Sequence, residues 1–347
     1  MSETIISQKK SFLDLNESEL NEILTKTGEK KFRIKQINNW IYNQNVRSWD
    51  EMINLPTAMI EYLKNKILLH PLKLVHVNGS ENDQTRKFLF QTAKGNHIES
   101  VLMREKNRTT VCISSQSGCI LDCNFCATAS MGFLQNLNAT EIIDQVIFLS
   151  SFTNSKITNV VYMGMGEPFM NYRQVIDSGN LLKKNMGLGA RRITISTAGI
   201  APKIRKIADD NYSFKLAISL NATNDEIRKR IMPITSKYSF KEIMDSSKYY
   251  YLKTKRLITF EYVLLNGIND SINDAKKLVK LLKGFPCKLN IIPYNEIDGD
   301  YTRPQKQVIR DFLFHLKPSK FIVTVRWSNG TDIDAGCGQL AIRDKND

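Results

Sequence analysis

Apolar residues recur at helical spacing through the first part of the chain. Asn16 followed by Glu19 is the sequence signature of a capped helix start, and the apolar positions within 20–24 then share one helix face. A second apolar stripe predicts another helix over 33–43. We therefore expect an N-terminal helical accessory domain over residues 1–75.

The pattern changes to strands between residues 76 and 104. Two runs, 87–92 and 98–102, are rich in apolar residues and are separated by a turn at 94–96, which predicts a β-hairpin. We expect this small β linker, 76–104, to connect the helical domain to the rest of the chain. Glu99 lies between apolar neighbours in the second run, and an isolated strand glutamate more often faces solvent.

From residue 105 onward, short apolar strands alternate with helical patterns. One such helix is predicted over 138–149, with Asn138 as its cap. Strand–helix alternation favours parallel strands and an α/β fold. Because six units fall short of a closed eight-unit barrel, we predict a partial (β/α)6 barrel over residues 105–343. The strand candidates are 110–115, 158–163, 192–197, 214–219, 257–264 and 288–293, with another at 321–326.

Polar and glycine-rich segments follow these strands at the same end each time. The first strand leads into a loop rich in cysteine, and the second ends in the segment 164–168, Gly-Met-Gly-Glu-Pro. In α/β barrels the chemistry gathers at the carboxyl ends of the strands. We therefore expect one active site at one mouth of the barrel. Later strands end in Ser196-Thr197, Ser219-Leu220-Asn221 and Pro293-Tyr294-Asn295.

The cysteine loop carries the strongest chemical signal. Cys119, Cys123 and Cys126 form a C-x3-C-x2-C pattern, and thiolates are soft ligands suited to iron–sulfur clusters, zinc or copper(I). Three ligands from one loop would leave one iron of a cubane cluster open to an outside molecule. The alternative, a tetrahedral zinc site, needs a fourth ligand, for which the chain offers Cys112, Cys287 and Cys337.

Two further motifs suggest ligand binding and nucleophilic chemistry. Gly164 and Gly166 remove side chains where backbone approaches a ligand, and Glu167 adds a carboxylate able to pair with an ammonium group. Cys337 lies between two glycines, which predicts a mobile, accessible loop and a nucleophilic or redox role. Cys112, seven residues before the first cysteine of the motif, is its natural partner.

Composition and charge narrow the class of protein. The chain has 347 residues with 49 Lys and Arg against 35 Asp and Glu, a formal net charge of +14, which suggests a polyanionic partner such as RNA. Solubility alone would also account for this charge. The chain contains no apolar run long enough to span a membrane and starts without a signal-peptide pattern, so we expect a cytoplasmic protein with no membrane association.

Three strings together resemble a known family. They are Cys-Ile-Ser-Ser-Gln-Ser-Gly-Cys at 112–119, the glycine motif at 164–168, and Asp-Ile-Asp-Ala-Gly-Cys-Gly-Gln-Leu at 332–340. Together they resemble the adenine-C2 RNA methyltransferases (RlmN type) of the radical S-adenosylmethionine (SAM) enzymes. The resemblance implies a radical SAM barrel, one 4Fe-4S cluster on Cys119, Cys123 and Cys126, and SAM as cofactor.

The resemblance also implies roles for single residues. Cys337 carries a methyl group as S-methylcysteine, Glu99 accepts the C2 proton, and Cys112 releases the product by forming a disulfide with Cys337. On chemical grounds Cys112 is also a candidate for the proton step. Asn221 departs from the family, which more often has histidine there. The implied SAM contacts are Gly166, Glu167, Ser196, Ser219, Leu220, Asn221 and Asn295.

The implied substrates are an adenosine of the peptidyl transferase centre in 23S rRNA and the adenosine 3′ of the anticodon in tRNA. An electron donor such as a flavodoxin-type protein and a monomeric state are implied as well. Two alternatives remain open from the residues. One is the related resistance branch that methylates adenine C8, and the other is a zinc-stapled RNA-binding protein without catalysis.

Overall fold

The computed structural model describes residues 9–341, and this part of the chain folds into mixed helices and strands. The helices in the described part are α1 Glu17–Thr27, α2 Phe32–Tyr42, α3 Thr57–Lys66, α4 Ala139–Ser150, α5 Tyr172–Met186, α6 Ala201–Asp209, α7 Asp225–Ile231, α8 Phe240–Thr254, α9 Ile272–Leu281 and α10 Lys306–Leu316. The strands are β1 Lys73–Asn78, β2 Thr85–Gln91, β3 His97–Glu105, β4 Arg108–Cys112, β5 Gln116–Gly118, β6 Phe133–Asn136, β7 Asn159–Tyr162, β8 Ile193–Thr197, β9 Lys215–Ser219, β10 Ile258–Leu264, β11 Cys287–Pro293 and β12 Ile322–Val325.

The helices predicted from capping signals form where expected. Asn16 and Glu19 make a reciprocal capping box at the start of α1, and Asn138 and Glu141 make a second one at the start of α4. Each box satisfies backbone N–H groups that have no partner within the helix. The first helix ends at Gly28, whose backbone is left-handed with φ 68°.

One ten-stranded sheet organises the molecule, in the order β1-β2-β3-β4-β7-β8-β9-β10-β11-β12. Within this sheet the strands β1 to β4 pair antiparallel, and β4 and β7 to β12 pair parallel. The predicted α/β fold with a partial barrel of parallel strands is confirmed. The predicted hairpin is present as β2 and β3, and it continues the sheet of the barrel through the pairing of β3 with β4.

A two-stranded sheet frames the cysteine loop. Strands β5 and β6 pair antiparallel on either side of residues 119–132, so the loop starts and ends at neighbouring backbone positions. Cys119 N–H donates to the carbonyl of Gly132 at 2.8 Å and closes this base. Cys119, Cys123 and Cys126 therefore lie in a loop whose two ends are held together by β5 and β6.

A buried ion pair joins the N-terminal helices to the barrel. His70 Nδ1 lies 2.6 Å from Asp144 Oδ1, and both side chains are buried. His70 Nε2 contacts the Val46 carbonyl at 2.9 Å, and Leu72 N–H donates to Asp144 Oδ2 at 3.1 Å. Asp144 lies on α4, so this network ties the helical region to the outer layer of the barrel. Among residues 9–341, no helix has the length and apolar character of a membrane span.

Candidate active site

A pocket opens at the carboxyl ends of the parallel strands, at the mouth that the sequence predicts. It contains about 1000 Å³ of free space, open solvent at its mouth included. The predicted site residues that line it are Cys119, Cys123, Cys126, Gly166, Glu167, Ser196, Ser219, Asn221 and Cys337.

Four predicted residues lie outside this lining. Leu220 is fully buried in the apolar core and takes part through its backbone, since its carbonyl accepts from Arg228 Nε at 3.1 Å. Asn295 is buried beside the loop that carries Cys337. Glu99 and Cys112 are buried on the inner face of the sheet, next to the pocket.

Backbone packing gives the cysteine loop its shape. Gly118 has φ +70°, and a Cβ placed on it would lie 1.8 Å from the carbonyl oxygen of Gly132. Only glycine allows this approach. At the far end of the loop, Ala127 N–H donates to the Gly338 carbonyl at 2.7 Å, which joins the cysteine loop to the loop of Cys337.

The donor set fits an iron–sulfur cluster. Cys119, Cys123 and Cys126 line one pocket, and Cys123 lies within electrostatic range of the other two. Their thiolates are soft donors of the kind that hold iron–sulfur clusters.

Burial keeps the three thiols protonated while no metal is bound. It raises the pKa of Cys119 to about 12, and it raises the pKa of Cys123 and of Cys126 as well. Because the thiolate is the ligand form, loading the site with metal displaces these protons.

The glycine motif after β7 places Glu167 in the pocket wall. Gly166 has φ +91° and packs so tightly on Gln116 that a Cβ would lie 2.4 Å from the Cβ of Gln116. The two carboxylate oxygens of Glu167 accept from the backbone N–H groups of Ala198 at 2.7 Å and of Phe169 at 2.9 Å. Burial nevertheless raises the pKa of Glu167 to about 7.

Asn221 has a structural reason to be asparagine. Its φ is +56°, a left-handed conformation that asparagine tolerates better than most residues. Its Oδ1 accepts from Val263 N–H at 2.9 Å, and its Nδ2 lies 3.3 Å from Met232 Sδ. The side chain therefore lines the pocket while it holds the end of β10.

The loop of Cys337 is held by several hydrogen bonds. Asn295 Nδ2 donates to the Cys337 carbonyl at 3.0 Å, and Gln339 Nε2 donates to the Glu296 carbonyl at 3.0 Å. Thr128 Oγ1 donates to the Leu340 carbonyl at 2.6 Å. These contacts fix Cys337 between the cysteine loop and the end of β11, with its side chain partly exposed to the pocket.

Cys112 and Glu99 share one face of the sheet. Cys112 pairs with Val101 across β3 and β4, and Glu99 lies two residues before Val101, on the same side. Burial and, to a smaller extent, nearby Cys337 raise the pKa of the Cys112 thiol to about 12. Cys112 is thus within electrostatic range of Cys337. All six cysteines are free thiols in the structure, so the disulfide between these two stays a prediction.

Glu99 is buried rather than exposed to solvent. Its Oε1 lies 3.0 Å from Lys87 Nζ on the neighbouring strand, and both side chains are almost fully covered. Burial raises the pKa of Glu99, although Lys87 opposes this rise. A carboxylate with a raised pKa beside the pocket is a stronger base than an exposed one.

Three charged residues of the site escaped the sequence analysis. Arg228 on α7 is fully buried and donates to the Ser219 carbonyl at 3.0 Å, to Thr235 Oγ1 at 2.8 Å and to the Ala198 carbonyl. Glu261 and Arg326 line the pocket from β10 and from the residue after β12. Nearby Cys337 raises the pKa of Arg326. In the sequence, Arg228 looks like an ordinary exposed charge on a short helix.

Two family models match the chain. Residues 113–282 match the radical SAM superfamily, and residues 10–69 match the ribosomal RNA large subunit methyltransferase N-terminal domain. The first range contains the three cysteines and most of the barrel strands, and the second contains α1 to α3. The two matches leave the hairpin and the Cys337 loop outside.

Similar proteins cover almost the whole chain. A probable dual-specificity RNA methyltransferase RlmN of Clostridium botulinum is 45% identical over 95% of this chain and 96% of its own length. One of the same description from Thermotoga neapolitana is 42% identical, over 97% and 98%. The crystal structure of a radical SAM methyltransferase from Sphaerobacter thermophilus superimposes with a TM-score of 0.89 at 40% identity, over 95% and 99% of the two chains. The chain therefore belongs to the RlmN family of radical SAM RNA methyltransferases.

Proposed function

We propose that this chain methylates C2 of adenosine in 23S rRNA, at the peptidyl transferase centre, and in tRNA, at the adenosine 3′ of the anticodon. The relatives that match over their full length are described as dual-specificity RNA methyltransferases, which supports this proposal. The observation that carries it is the position of Cys337, held over the cysteine loop by the Ala127–Gly338 hydrogen bond and near Cys112.

The enzyme uses one 4Fe-4S cluster and SAM, as radical SAM enzymes do. Cys119, Cys123 and Cys126 would hold the cluster and leave one iron for SAM. Gly166, Glu167, Ser196, Ser219 and Asn221 line the space for SAM. When bound, the cluster supplies the electron for reductive cleavage of SAM. Leu220 and Asn295 support this wall, the first through its backbone and the second through the Cys337 loop.

Cys337, Glu99 and Cys112 each carry one of the remaining steps. Cys337 takes a methyl group onto its sulfur by displacement and so holds the carbon that joins C2, because an electron-poor adenine C2 is no nucleophile. Glu99, with its pKa raised by burial, accepts the proton that leaves C2. Cys112 then loses its proton and attacks the Cys337 sulfur, so that the disulfide bond forms and the bond from that sulfur to the transferred carbon breaks. The carbon keeps the electron pair and takes up a proton, which completes the methyl group of the released base. The raised pKa of Cys112 keeps it protonated beforehand and favours Glu99 as the base.

The two reactive cysteines give opposite phenotypes. We expect Cys337→Ala to abolish methyl loading of the protein, and Cys112→Ala to trap the protein covalently on RNA. Intact mass of the anaerobically purified protein detects the first effect, and denaturing gel electrophoresis of reactions with RNA detects the second. The matched control is Cys287→Ala, a buried core cysteine far from any motif, which should behave as wild type. Normal turnover of the Cys112 variant would contradict its resolving role.

Partners and location follow from the substrates. RNA is the macromolecular substrate, and an electron donor of the flavodoxin type would supply reducing equivalents. We propose that the protein acts as a monomer in the cytoplasm, where rRNA and tRNA are found. Anaerobic reduction with purified flavodoxin, followed by SAM cleavage, tests the donor, and light scattering tests the oligomeric state.

A further inference from the structure

Basic residues occupy the mouth of the barrel opposite the active site. Each parallel strand has a Lys or Arg at its start or within three residues of it, although the strands come from distant parts of the chain. We call this set the amino-end basic ring. It consists of Arg108 (β4), Lys156 (β7), Arg192 (β8), Lys215 (β9), Arg256 (β10), Lys288 (β11) and Lys320 (β12).

Strand alternation directs three members of the ring toward the barrel axis, and Arg192 directly precedes β8. Lys215, the first residue of β9, lies four residues before Ser219, which lines the active-site pocket. Lys288 lies four residues before Ile292, which also lines the pocket. Arg108 lies four residues before Cys112, which is on the inner face of the sheet. Residues four apart on a strand share a face. The ring therefore lies about 13 Å behind the pocket, at ~3.3 Å per residue.

The three inward members and Arg192 are close together and exposed. Lys215 is within electrostatic range of Lys288, Arg108 and Arg192, and also of Arg191. Burial lowers the pKa of Lys215, and these four like charges lower it further. Arg108, Arg192, Lys215 and Lys288 are all exposed to solvent.

The ring is not neutralised by the protein, unlike many basic residues elsewhere on its surface. Lys26, Lys206 and Lys241 each pair with a carboxylate four residues away. Within the described part of the chain, none of the seven ring members forms an ion pair with a carboxylate. Glu105 lies opposite Arg108 in the ladder of β3 and β4, but the two side chains form no ion pair. Unpaired like charges repel one another, so an external anion would stabilise this arrangement.

We propose that the amino-end basic ring is a second RNA-binding site, which takes the phosphodiester backbone of the substrate at a segment distant from the target adenosine. This proposal rests on the proposed function. RNA is the occupant that fits, because a large folded RNA extends far beyond the pocket and presents phosphates at regular intervals. Such contacts provide affinity without reading sequence, which suits an enzyme that accepts two different RNAs.

The salt dependence of RNA binding tests this site. The test variant replaces four ring members by glutamine, at Arg108, Arg192, Lys215 and Lys288. The control variant removes the same charge from exposed helix residues that have carboxylate partners, at Arg173, Lys206, Lys241 and Lys253. Both are prepared with their cluster under anaerobic conditions and compared with wild type by fluorescence anisotropy on tRNA and on a 23S rRNA fragment.

We expect the ring variant to bind RNA at least about tenfold more weakly at 0.1 M salt. Its slope of log affinity against log salt should fall by roughly 3, since each lost phosphate contact removes about 0.7–0.9. The rate at saturating RNA should stay unchanged while KM rises, because the ring does not touch the reacting atoms. The control variant should keep the slope of wild type.

The outcomes separate this inference from the proposed function. If wild type neither binds nor methylates RNA, the proposed function fails. If wild type does both and the ring variant keeps the wild-type slope, the second site is overturned. A third result would overturn the assignment to RNA and indicate a site for a small anion. In that case inorganic phosphate raises the melting temperature of wild type but not of the ring variant, while both proteins show the same salt dependence of RNA affinity.

Discussion

At the scale of single residues, Glu167 shows how burial prepares a side chain for a ligand. Both of its oxygens already accept backbone N–H groups, from Ala198 and Phe169, and these bonds favour the ionised form. Burial outweighs them and raises the pKa to about 7. An ammonium group bound beside this carboxyl would return it to the ionised form, so ligand binding and proton release are coupled.

Replacing Glu167 by Gln should remove a pH dependence from stability. A folded-state pKa raised from 4.5 to about 7 means that the folded protein binds more protons than the unfolded chain between these values. Wild type therefore loses about 3 kcal/mol of stability from this group as pH rises from 4.5 through 7. The variant should lack this loss, whatever its absolute stability.

Denaturant unfolding of the cluster-free protein at pH 5 and pH 8 measures the effect. The difference in unfolding free energy between wild type and Glu167→Gln should shift by about 3 kcal/mol between these pH values, in favour of the variant at pH 8. If the unfolding free energies of the two proteins change in the same way with pH, burial does not raise the pKa of Glu167.

The site residues that could be predicted are those with a motif. Cys119, Cys123 and Cys126 have a fixed spacing, and Gly166 and Glu167 directly follow a predicted strand. Arg228, Glu261 and Arg326 could not be found in this way. A charge in a helix or strand usually faces solvent. Only the packed structure shows that Arg228 donates to the carbonyls of Ala198 and Ser219 and to the hydroxyl of Thr235.

At the scale of elements, the cysteine loop and the Cys337 loop form one structural unit. The first is closed at its base by β5 and β6, and the second is tied to it through Ala127 and Thr128. The helices α1, α2 and α4 and the approximate positions of the parallel strands followed from local hydrophobic patterns. The joining of these two loops did not, because residues 127 and 338 are far apart in sequence and no local pattern records their contact.

Gly118→Ala should disrupt the cysteine loop. The new Cβ would meet the carbonyl oxygen of Gly132, and backbone cannot move aside cheaply, while the φ of +70° adds strain of roughly 1–2 kcal/mol. We expect incomplete cluster loading, measured as iron and sulfide per chain after anaerobic reconstitution.

Gly28→Ala is the control for left-handed backbone strain alone. Gly28 follows α1 with a φ of +68°, close to that of Gly118, and a Cβ there meets nothing within 4 Å. We expect normal cluster content in this variant. Equal loss of iron in both variants would show that backbone strain, rather than the close approach at Gly118, lowers the cluster content.

At the scale of the whole molecule, a buried polar network connects the N-terminal helices with the barrel. His70 contacts both the Val46 carbonyl and Asp144, and Asp144 also accepts from Leu72 N–H. Burial lowers the pKa of His70, but Asp144 and the Val46 carbonyl together raise it above its ordinary value. The network therefore favours a charged histidine paired with the carboxylate.

His70→Ala should loosen the N-terminal helices from the barrel. The substitution leaves Asp144 buried without its partner, which costs about 3 kcal/mol or more. Hydrogen exchange should rise in α1 to α3 and remain low in β8 to β11. His76→Ala, an exposed histidine on β1, is the control and should leave exchange unchanged. If hydrogen exchange in α1 to α3 is as slow in the His70 variant as in wild type, the pair of His70 and Asp144 does not hold these helices to the barrel.

The most direct test of the whole account is the chemical identity of the product. The cluster-loaded protein, SAM, an electron donor and a protein-free 23S rRNA fragment are incubated without oxygen, and the RNA is digested to nucleosides for mass spectrometry. We predict 2-methyladenosine from wild type and none from Cys337→Ala. Formation of 8-methyladenosine alone, or of 2-methyladenosine by the Cys337 variant, would contradict the account.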